Sequence, residues 1–506
     1  MIRITTFAGR KVAVFGLGLS GRASVASLLA GGAEVAAWDD GPAGRQAAQN
    51  AGIELVDLTR ADWAEFAALV LAPGVPLTHP EPHWTVKHAR AAGVEVIGDT
   101  ELFFRERATT CPAARVVGIT GTNGKSTTTA LTAHVLRHHG RQVQMGGNIG
   151  VPILALEPLT PERIYVIEFS SYQIDLTPSL APTIGVLLNI SPDHLERHGT
   201  MENYAAIKTR LAAAAKTAVV GLDDAWCRKV AMTRAALGMA GYGISVLDDG
   251  APGFDGADHG LTLSKAAGAG MMVLNAQAAG GIYRYHGGRE PESLADLAQA
   301  TTLRGGHNAQ NAAAAVAISM ALGLRSSGSI SGKRGTDGID ENAGSTTAGL
   351  ASFPGLAHRM EILGQRGRVL YVNDSKGTNA DAAQKALAAF RDIFWIAGGL
   401  SKEGGIEPLI PLFPRLAKAY LIGAAAPDFA ATLEGRVPFE RCATLDQAVA
   451  RAAQESAMSK ADEPVVLLSP ACASFDQYPS FAARGDEFRA LVGALPGMSL
   501  TPRVIP

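Results

Sequence analysis

Cysteine is scarce in this chain: four in 506 residues, at 111, 227, 442 and 472. They lie too far apart for the paired spacing of a metal site, which argues against a cysteine-bound zinc and a disulfide-stapled secreted scaffold. Net charge is nearly absent too, at −2 from 45 Lys+Arg and 47 Asp+Glu. That leaves no electrostatic footprint for nucleic acid or for a membrane surface. No apolar run reaches the roughly 20 residues of a membrane span. The opening Met1-Ile2-Arg3-Ile4-Thr5-Thr6 has no apolar signal region. A protein of the reducing cytoplasm, with neither nucleic acid nor membrane insertion, is expected. What is plentiful is ordinary core material: 47% hydrophobic against 18% charged, over a length that calls for two to four domains.

The first hundred residues alternate strand and helix patterns: strands over 11–15, 34–38, 68–71 and 94–97, and a helix over 22–30 ended by Gly31-Gly32. A second unit begins near Cys111-Pro112, with strands over 165–169, 183–188 and 218–220 and an Ala-rich helix over 308–322. The Gly-rich stretch 241–303 gives no clear pattern. Residues 326–349 are crowded with Ser, Gly, Thr and Asp, too poor in apolar surface to offset ordering entropy, and read as a flexible insertion. A third unit follows, with strands over 369–372, 393–397, 419–422 and 465–468 and a late helix over 482–491. The expected boundaries are 1–108, 109–325, an insertion at 326–350, and 351–506.

The most informative passage is Val117-Gly118-Ile119-Thr120-Gly121-Thr122-Asn123-Gly124-Lys125-Ser126-Thr127. An apolar run ends in a Gly-rich turn, and Lys-Ser-Thr opens a helix. Backbone N–H groups in such a turn cradle phosphate, and the helix start adds partial positive charge. Lys125 can reach the outer phosphates and the Ser126 hydroxyl can ligate Mg²⁺. The first Gly of the usual P-loop spacing is here Ile119. The passage points to ATP.

Other polar clusters fall at the ends of expected strands, where ligands of doubly wound sheets bind. Gly16-Leu17-Gly18-Leu19-Ser20-Gly21, followed by Asp39, reads literally as an NAD site. Nicotinamide, another nucleotide and tight strand–helix packing all remain open there. Glu168, in Glu168-Phe169-Ser170-Ser171-Tyr172-Gln173, suits Mg²⁺, or else is a capping or surface carboxylate. His194, after Asn189-Ile190-Ser191-Pro192-Asp193, is a metal or phosphate residue or an ordinary surface His. His307-Asn308 and Asn311 either bond a nucleotide or cap the Ala-rich helix. In the third unit, Arg359 suits bidentate phosphate contact. The runs Asn373-Asp374-Ser375-Lys376-Gly377-Thr378-Asn379 and Ser469-Pro470-Ala471-Cys472-Ala473-Ser474-Phe475-Asp476 each follow a strand.

Taken in order, these passages resemble the Mur ligases of peptidoglycan precursor synthesis. Gly146-Gly147-Asn148-Ile149-Gly150, Lys208, His307-Asn308, His358-Arg359 and Asn373-Asp374-Ser375-Lys376 complete the match. Within the family, Ala72-Pro73-Gly74, Lys376-Gly377-Thr378-Asn379 and the run from Ser469 to Asp476 resemble the branch that adds D-glutamate to UDP-N-acetylmuramoyl-L-alanine. The Asp-Asn-Pro-Arg run of the diaminopimelate-adding branch is absent.

The resemblance implies an α/β fold of three domains: a Rossmann-like N-terminal domain, a P-loop-type central ATPase domain and a Rossmann-like C-terminal domain. It implies a cytoplasmic monomer that uses ATP and Mg²⁺ to make an acyl phosphate and then an amide. Gly121, Thr122, Asn123, Gly124, Lys125, Ser126, Thr127, Asn308, Asn311, Arg359 and Asp374 would bind ATP. Lys125, Glu168, His194, Lys208 and Arg359 would be catalytic. Ser126, Glu168, His194 and a carbamylated Lys208 would hold the metal. Leu19, Ser20, Asp39, Gly74 and Asn148 would meet the UDP-sugar, and Lys376, Thr378, Lys402, Ser474, Phe475 and Phe481 D-glutamate. Asp40-Gly41 departs from the Thr-Arg of better-known relatives beside the uracil, Phe475 replaces a commoner Leu, and the insertion is no part of the recognised family pattern.

A nicotinamide dehydrogenase would leave the phosphate loop and third-unit clusters idle. A nucleotide-driven switch would need no UDP-sugar site. Folate polyglutamylating enzymes share the second and third domains but lack such an N-terminal one.

Overall fold

The computed structural model describes residues 1–247, 271–277, 280–284, 292–324, 345–401 and 405–501. The chain forms two compact units, Met1–Leu297 with Ala309–Ala351, and Ala298–Asn308 with Ser352–Pro506. Among the described residues no helix is long and apolar enough to cross a membrane.

The first unit carries two sheets. The smaller is parallel: β1 (Lys11–Phe15), β2 (Glu34–Trp38), β3 (Ala68–Leu71) and β4 (Glu95–Ile97), in the order β2-β1-β3-β4. β1 and β3 are buried almost throughout, as expected of parallel strands covered on both faces. The chain leaves β1 to one side and returns to pair on the other, so the carboxyl ends of β1 and β3 flank a switch point. The loops there are 16–18, before the helix Leu19–Ala30, and 72–75.

The larger sheet contains β5 (Arg115–Thr120), β6 (Val143–Gly147), β7 (Ile164–Glu168), β8 (Ile184–Leu187) and β9 (Thr217–Gly221). It continues through β10 (Gly241–Leu247), β11 (Met271–Gln277), β12 (Gly281–Arg284) and β13 (Glu292–Asp296). Its order is β13-β12-β11-β10-β9-β8-β5-β7-β6. β5 therefore lies between β7 and β8, and three polar loops meet at one edge. The stretch 241–303, unreadable by pattern, supplies the last four strands: β10 and β11 join in parallel, β12 and β13 antiparallel.

The helix Asp99–Thr110 ties the two sheets together. Phe103 packs edge-on against Phe104 and Tyr165, and Phe104 stacks on Phe169, in one core that also holds Phe7, Val12 and Val14. Burying each such ring contributes about 1.5–3 kcal/mol. The buried Glu106 carboxylate accepts hydrogen bonds from Thr5 N (2.7 Å), Thr6 N (3.0 Å) and the Thr5 hydroxyl (2.6 Å).

One expectation needs correction. Residues 326–344 of the expected insertion lie outside the described residues, but from Thr346 its C-terminal end is ordered within the helix Thr346–Ala351. This helix packs on Lys125–His138, and His139 Nε2 lies 3.0 Å from Thr346 Oγ1. A Cβ on Gly349 would stand 3.2 Å from Val135 Cα, so only a small residue permits this approach. Composition averaged over the whole stretch hid a short run of small residues with one apolar anchor, Leu350.

The second unit carries β14 (Glu361–Arg366), β15 (Val369–Asn373), β16 (Ile393–Gly398), β17 (Leu416–Ile422), β18 (Phe439–Ala443), β19 (Val465–Leu468) and β20 (Ser499–Leu500). The order is β18-β17-β16-β19-β15-β14-β20, with β14 and β20 antiparallel. β16, β19 and β15 are adjacent, so the loops starting at Gly399, Ser469 and Asp374 open on the same side.

Candidate active site

The phosphate loop is built by backbone geometry first. Gly124 caps the helix Lys125–His138 at φ 82°, a left-handed conformation that suits glycine, and a Cβ there would meet Asn311 Oδ1 at 2.5 Å. Asn189, at the end of β8, braces the loop: it accepts from Asn123 N (2.8 Å) and donates to Asn123 O (3.2 Å). Thr122 N bonds Asn189 O at 2.9 Å, and the Thr122 hydroxyl lies 3.0 Å from Tyr204 OH. The Lys125 ammonium folds back on Gly121 O (2.9 Å) and Thr122 O (2.7 Å). Asn311 reaches the same loop from its own helix, accepting from the Thr128 hydroxyl at 3.0 Å.

Glu168 ends β7 beside this loop, 2% exposed. Its Oε1 accepts from Asn148 Nδ2 at 2.8 Å, but its Oε2 is buried with no hydrogen-bond partner. An uncompensated carboxylate oxygen is costly in a protein interior, which favours a cation as its natural complement. Lys208, on Met201–Ala213, is equally buried and donates to Gly121 O at 2.8 Å, with its ammonium over the Tyr204 ring. Burial pushes its pKa well below the usual lysine range, and the Lys125 charge adds to this.

His194 is half exposed, at φ 55°, 3.4 Å from the Asp193 carboxylate and 3.7 Å from that of Glu196. Among the described residues no three His, Cys, Asp or Glu side chains cluster as a metal cage. The donors here are instead the Ser126 hydroxyl and one orphaned carboxylate oxygen, with Lys208 alongside. Mg²⁺ fits such a set, since it keeps waters and substrate phosphates among its ligands.

In the small sheet both Asp39 carboxylate oxygens are engaged by backbone, Leu17 N at 2.6 Å and Gly41 N at 2.7 Å. Asp39 thus braces the glycine loop, leaving Leu19 69% exposed at its rim. Asp40, at the departure from the family pattern, accepts from Trp84 Nε1 (2.9 Å) and lies 3.2 Å from His83 Nε2.

In the second unit Asp374 is buried, accepting from the Ser469 hydroxyl (2.7 Å) and Met360 N (3.2 Å); burial pushes its pKa up to about 7. The Lys376 ammonium sits 3.9 Å from the centre of the Phe481 ring. Ser474 is buried and Phe475 is 71% exposed. His358, at φ 61°, makes a 3.1 Å contact with Asn373 Nδ2. A Cβ on Gly485 would come within 2.2 Å of its ring.

Three family models match this chain: "Mur ligase MurD-like, N-terminal domain" over 10–98, "Mur ligase middle domain" over 119–319, and "Mur ligase, glutamate ligase domain" over 358–472. The chain belongs to the Mur ligase family. Curated Mur ligase relatives named UDP-N-acetylmuramoylalanine–D-glutamate ligase are 55% identical in Nitrobacter hamburgensis (99% of each chain) and 52% in Mesorhizobium japonicum (98% of each). The one from Agrobacterium fabrum is 51% identical, over 99% of this chain and 98% of its own.

Among solved Mur structures, the UDP-N-acetylmuramate-alanine ligase of Thermotoga maritima aligns with a TM-score of 0.52 at 16% identity, over 94% of this chain and 98% of that one. MurF ligase from the same organism, in complex with ADP, aligns at 0.50 and 18%, over 97% and 94%. At those identities the likeness speaks for the fold: α/β, with Mur N-terminal, middle and C-terminal domains.

Of the residues expected at the site of a Mur ligase, the phosphate loop, Asn148, Glu168, Lys208 and Asn311 stand together in the first unit. Asp374, Lys376 and Ser474 lie in the strand-end loops of the second, and Phe481 opens the helix Phe481–Gly493 beside Lys376. Asn308 is buried and donates to Arg304 O at 3.0 Å; Arg359 is close enough to Asp374 to lower its pKa by charge. Lys402 lies outside the described residues.

The sequence reading missed Arg484. The residue is 1% exposed, and its guanidinium donates from Nε to the Ser375 hydroxyl (3.0 Å) and from Nη2 to Ser375 O (2.8 Å) and Cys472 O (3.2 Å). It braces two of the three strand-end loops. The available signal was an Arg on the face that a late helix turns inward. Asn189 was named within a motif but given no role, and its bracing of the phosphate loop comes from pairing β8 with β5.

Proposed function

We propose that this chain is an ATP-dependent ligase that adds D-glutamate to UDP-N-acetylmuramoyl-L-alanine in peptidoglycan precursor synthesis. The observation that carries this reading is identity above 50% along almost the whole chain to relatives of that name. The orphaned Glu168 oxygen beside the phosphate loop supports it independently.

A carboxylate is a poor electrophile, so the acceptor's alanyl carboxylate first attacks the γ-phosphorus of ATP and ADP leaves. The D-glutamate amine then attacks the acyl phosphate carbonyl, loses a proton, and phosphate departs. Lys125 and Arg359 stabilise charge on the transferring phosphoryl group. Gly121, Thr122, Asn123, Gly124 and Thr127 present backbone and hydroxyl donors to ATP, with Asn308, Asn311 and Asp374 positioning it. Leu19, Ser20, Asp39, Gly74 and Asn148 orient the UDP-sugar. Lys376, Thr378, Lys402 and Ser474 hold D-glutamate, beside Phe475 and Phe481.

Ser126, Glu168, His194 and a carbamylated Lys208 would hold Mg²⁺, which when bound neutralises phosphate charge. The depressed basicity of Lys208 favours the neutral amine, the form that adds to CO₂ with release of a proton. We further place the enzyme in the cytoplasm as a monomer, serving cell-wall assembly and hence cell shape and division. Phosphate release decides the assignment: it should need ATP, Mg²⁺, UDP-N-acetylmuramoyl-L-alanine and D-glutamate together. Equal turnover with L-glutamate, diaminopimelate or lysine would refute the substrate assignment.

A further inference from the structure

Arg197 lies on the four-residue helix Leu195–His198 that His194 opens, in the larger sheet's domain. Its guanidinium crosses to the loop after β3 in the small sheet's domain. Nη1 donates to Gly74 O at 2.9 Å, and Nη2 to Val75 O at 2.9 Å and, more weakly, Pro73 O at 3.5 Å. Its other side lies over the Tyr172 ring, 4.6 Å from the centre, and Tyr172 follows Glu168 by four residues. One cation therefore touches the loop bearing Gly74, the segment after Glu168, and the helix whose cap is His194.

A second contact closes the same junction. Gly199, directly after this helix, has the His79 ring against it, and a Cβ there would stand 2.8 Å from His79 Nε2. The partners of Arg197 are three successive carbonyls and a ring face. A planar fork can satisfy these together, whereas an ammonium offers no matching plane.

We infer that Arg197 is a positioning residue that sets the UDP-sugar loop in register with the Glu168–His194 edge of the phosphate-transfer site. This rests on the reading of the Gly74 loop as part of the UDP-sugar site. Its consequence is geometric: the acceptor carboxylate is delivered by one domain and phosphorylated at the edge of the other. A shift of about 1 Å between reacting atoms can cost a hundredfold in rate.

The test compares Arg197→Ala and Arg197→Lys with the parent full-length enzyme, varying each substrate in turn and recording thermal unfolding. The parent's turnover with UDP-N-acetylmuramoyl-L-alanine, ATP and D-glutamate is the control for the functional reading; its absence would sink that reading, and the present inference with it. Given parent turnover, Arg197→Ala should raise the KM for the UDP-sugar by about tenfold or more and lower kcat by up to about a hundredfold. The KM values for ATP and D-glutamate should stay within about twofold. Arg197→Lys should resemble the Ala variant despite keeping the charge, and millimolar guanidinium should restore part of the Ala variant's turnover. An unchanged KM for the UDP-sugar, or an equal rise for all three substrates, would overturn the inference while leaving the ligase reading intact. So would loss of the folded state in both variants, which would assign Arg197 to stability alone.

Discussion

Replacing Asp374 by Asn should stabilise the substrate-free protein at neutral pH while leaving it unchanged near pH 4. The carboxyl is buried, and its pKa is pushed from the ordinary 3.8 up to about 7, chiefly by desolvation. In the unfolded chain the group loses its proton near pH 4, whereas in the folded chain it keeps the proton until about pH 7. Stability is therefore lost as the pH rises through that window and is constant above it. At about 1.4 kcal/mol for each tenfold change in proton affinity, the full loss is on the order of 4 kcal/mol.

Asn is nearly isosteric, has no charged form, and can accept from Met360 N while donating to the Ser469 hydroxyl. It should recover most of that loss. For a domain of this size the gain corresponds to on the order of 10 °C in Tm. Scanning calorimetry of both proteins at pH 4, 5.5, 7 and 8 would read it as a gap that opens between pH 4 and 7 and then levels. Turnover should fall, because Asp374 is assigned to ATP. A gap independent of pH, or a variant less stable at pH 8, would refute the argument that a desolvated carboxyl is held there at a cost.

Lys125→Ala should cut turnover by roughly 10²–10³ with folding intact, since one donor to the transferring charge is lost; near-normal phosphate release would remove it from the mechanism. Lys208→Ala should be almost inactive and partly restored by a short added carboxylate, and ¹³CO₂ should give a carbamate resonance in the parent protein; neither rescue nor resonance would leave Lys208 a plain buried amine. Ser474→Ala should raise the KM for D-glutamate far more than that for ATP, and equal rises in steady-state kinetics would reduce it to support of its loop. Deleting residues 327–344 should leave Tm close to the parent's, whereas extending the deletion through Ala351 should lower it by several degrees, because Thr346, Gly349 and Leu350 are buried; equal Tm values for the two deletions would contradict the packing of that helix.

Much of the site was legible because phosphate chemistry constrains local sequence. The Gly121–Thr127 loop needs a strand before it and a helix after it, and both are written in neighbouring residues. Glu168, His194, Asp374 and Ser474 could each be placed at or shortly after a strand's carboxyl end from short apolar runs alone, though their roles came from resemblance. Less was legible where pattern was weak. The strands between 241 and 296 are separated by Gly-rich stretches, and they are held by the edge of an existing sheet rather than by propensity. The helix Thr346–Ala351 is made by one docking surface on Lys125–His138, which no local window contains.

By itself the sequence determined the local pattern: which loop has the Gly-rich, strand-to-helix form of a phosphate cradle, which strands are buried on both faces, and which residue types end them. These follow from backbone sterics and from apolar spacing over a few residues. Only the tertiary structure decided which of those ends meet. β5 comes to lie between β7 and β8, so that Asn189 braces the phosphate loop and Glu168 is buried beside it with one oxygen unpartnered. Arg197 and Arg484 look like ordinary surface cations in the chain. Their guanidinium groups acquire a role from carbonyls more than a hundred residues away, brought within hydrogen-bond reach by the packing of apolar layers.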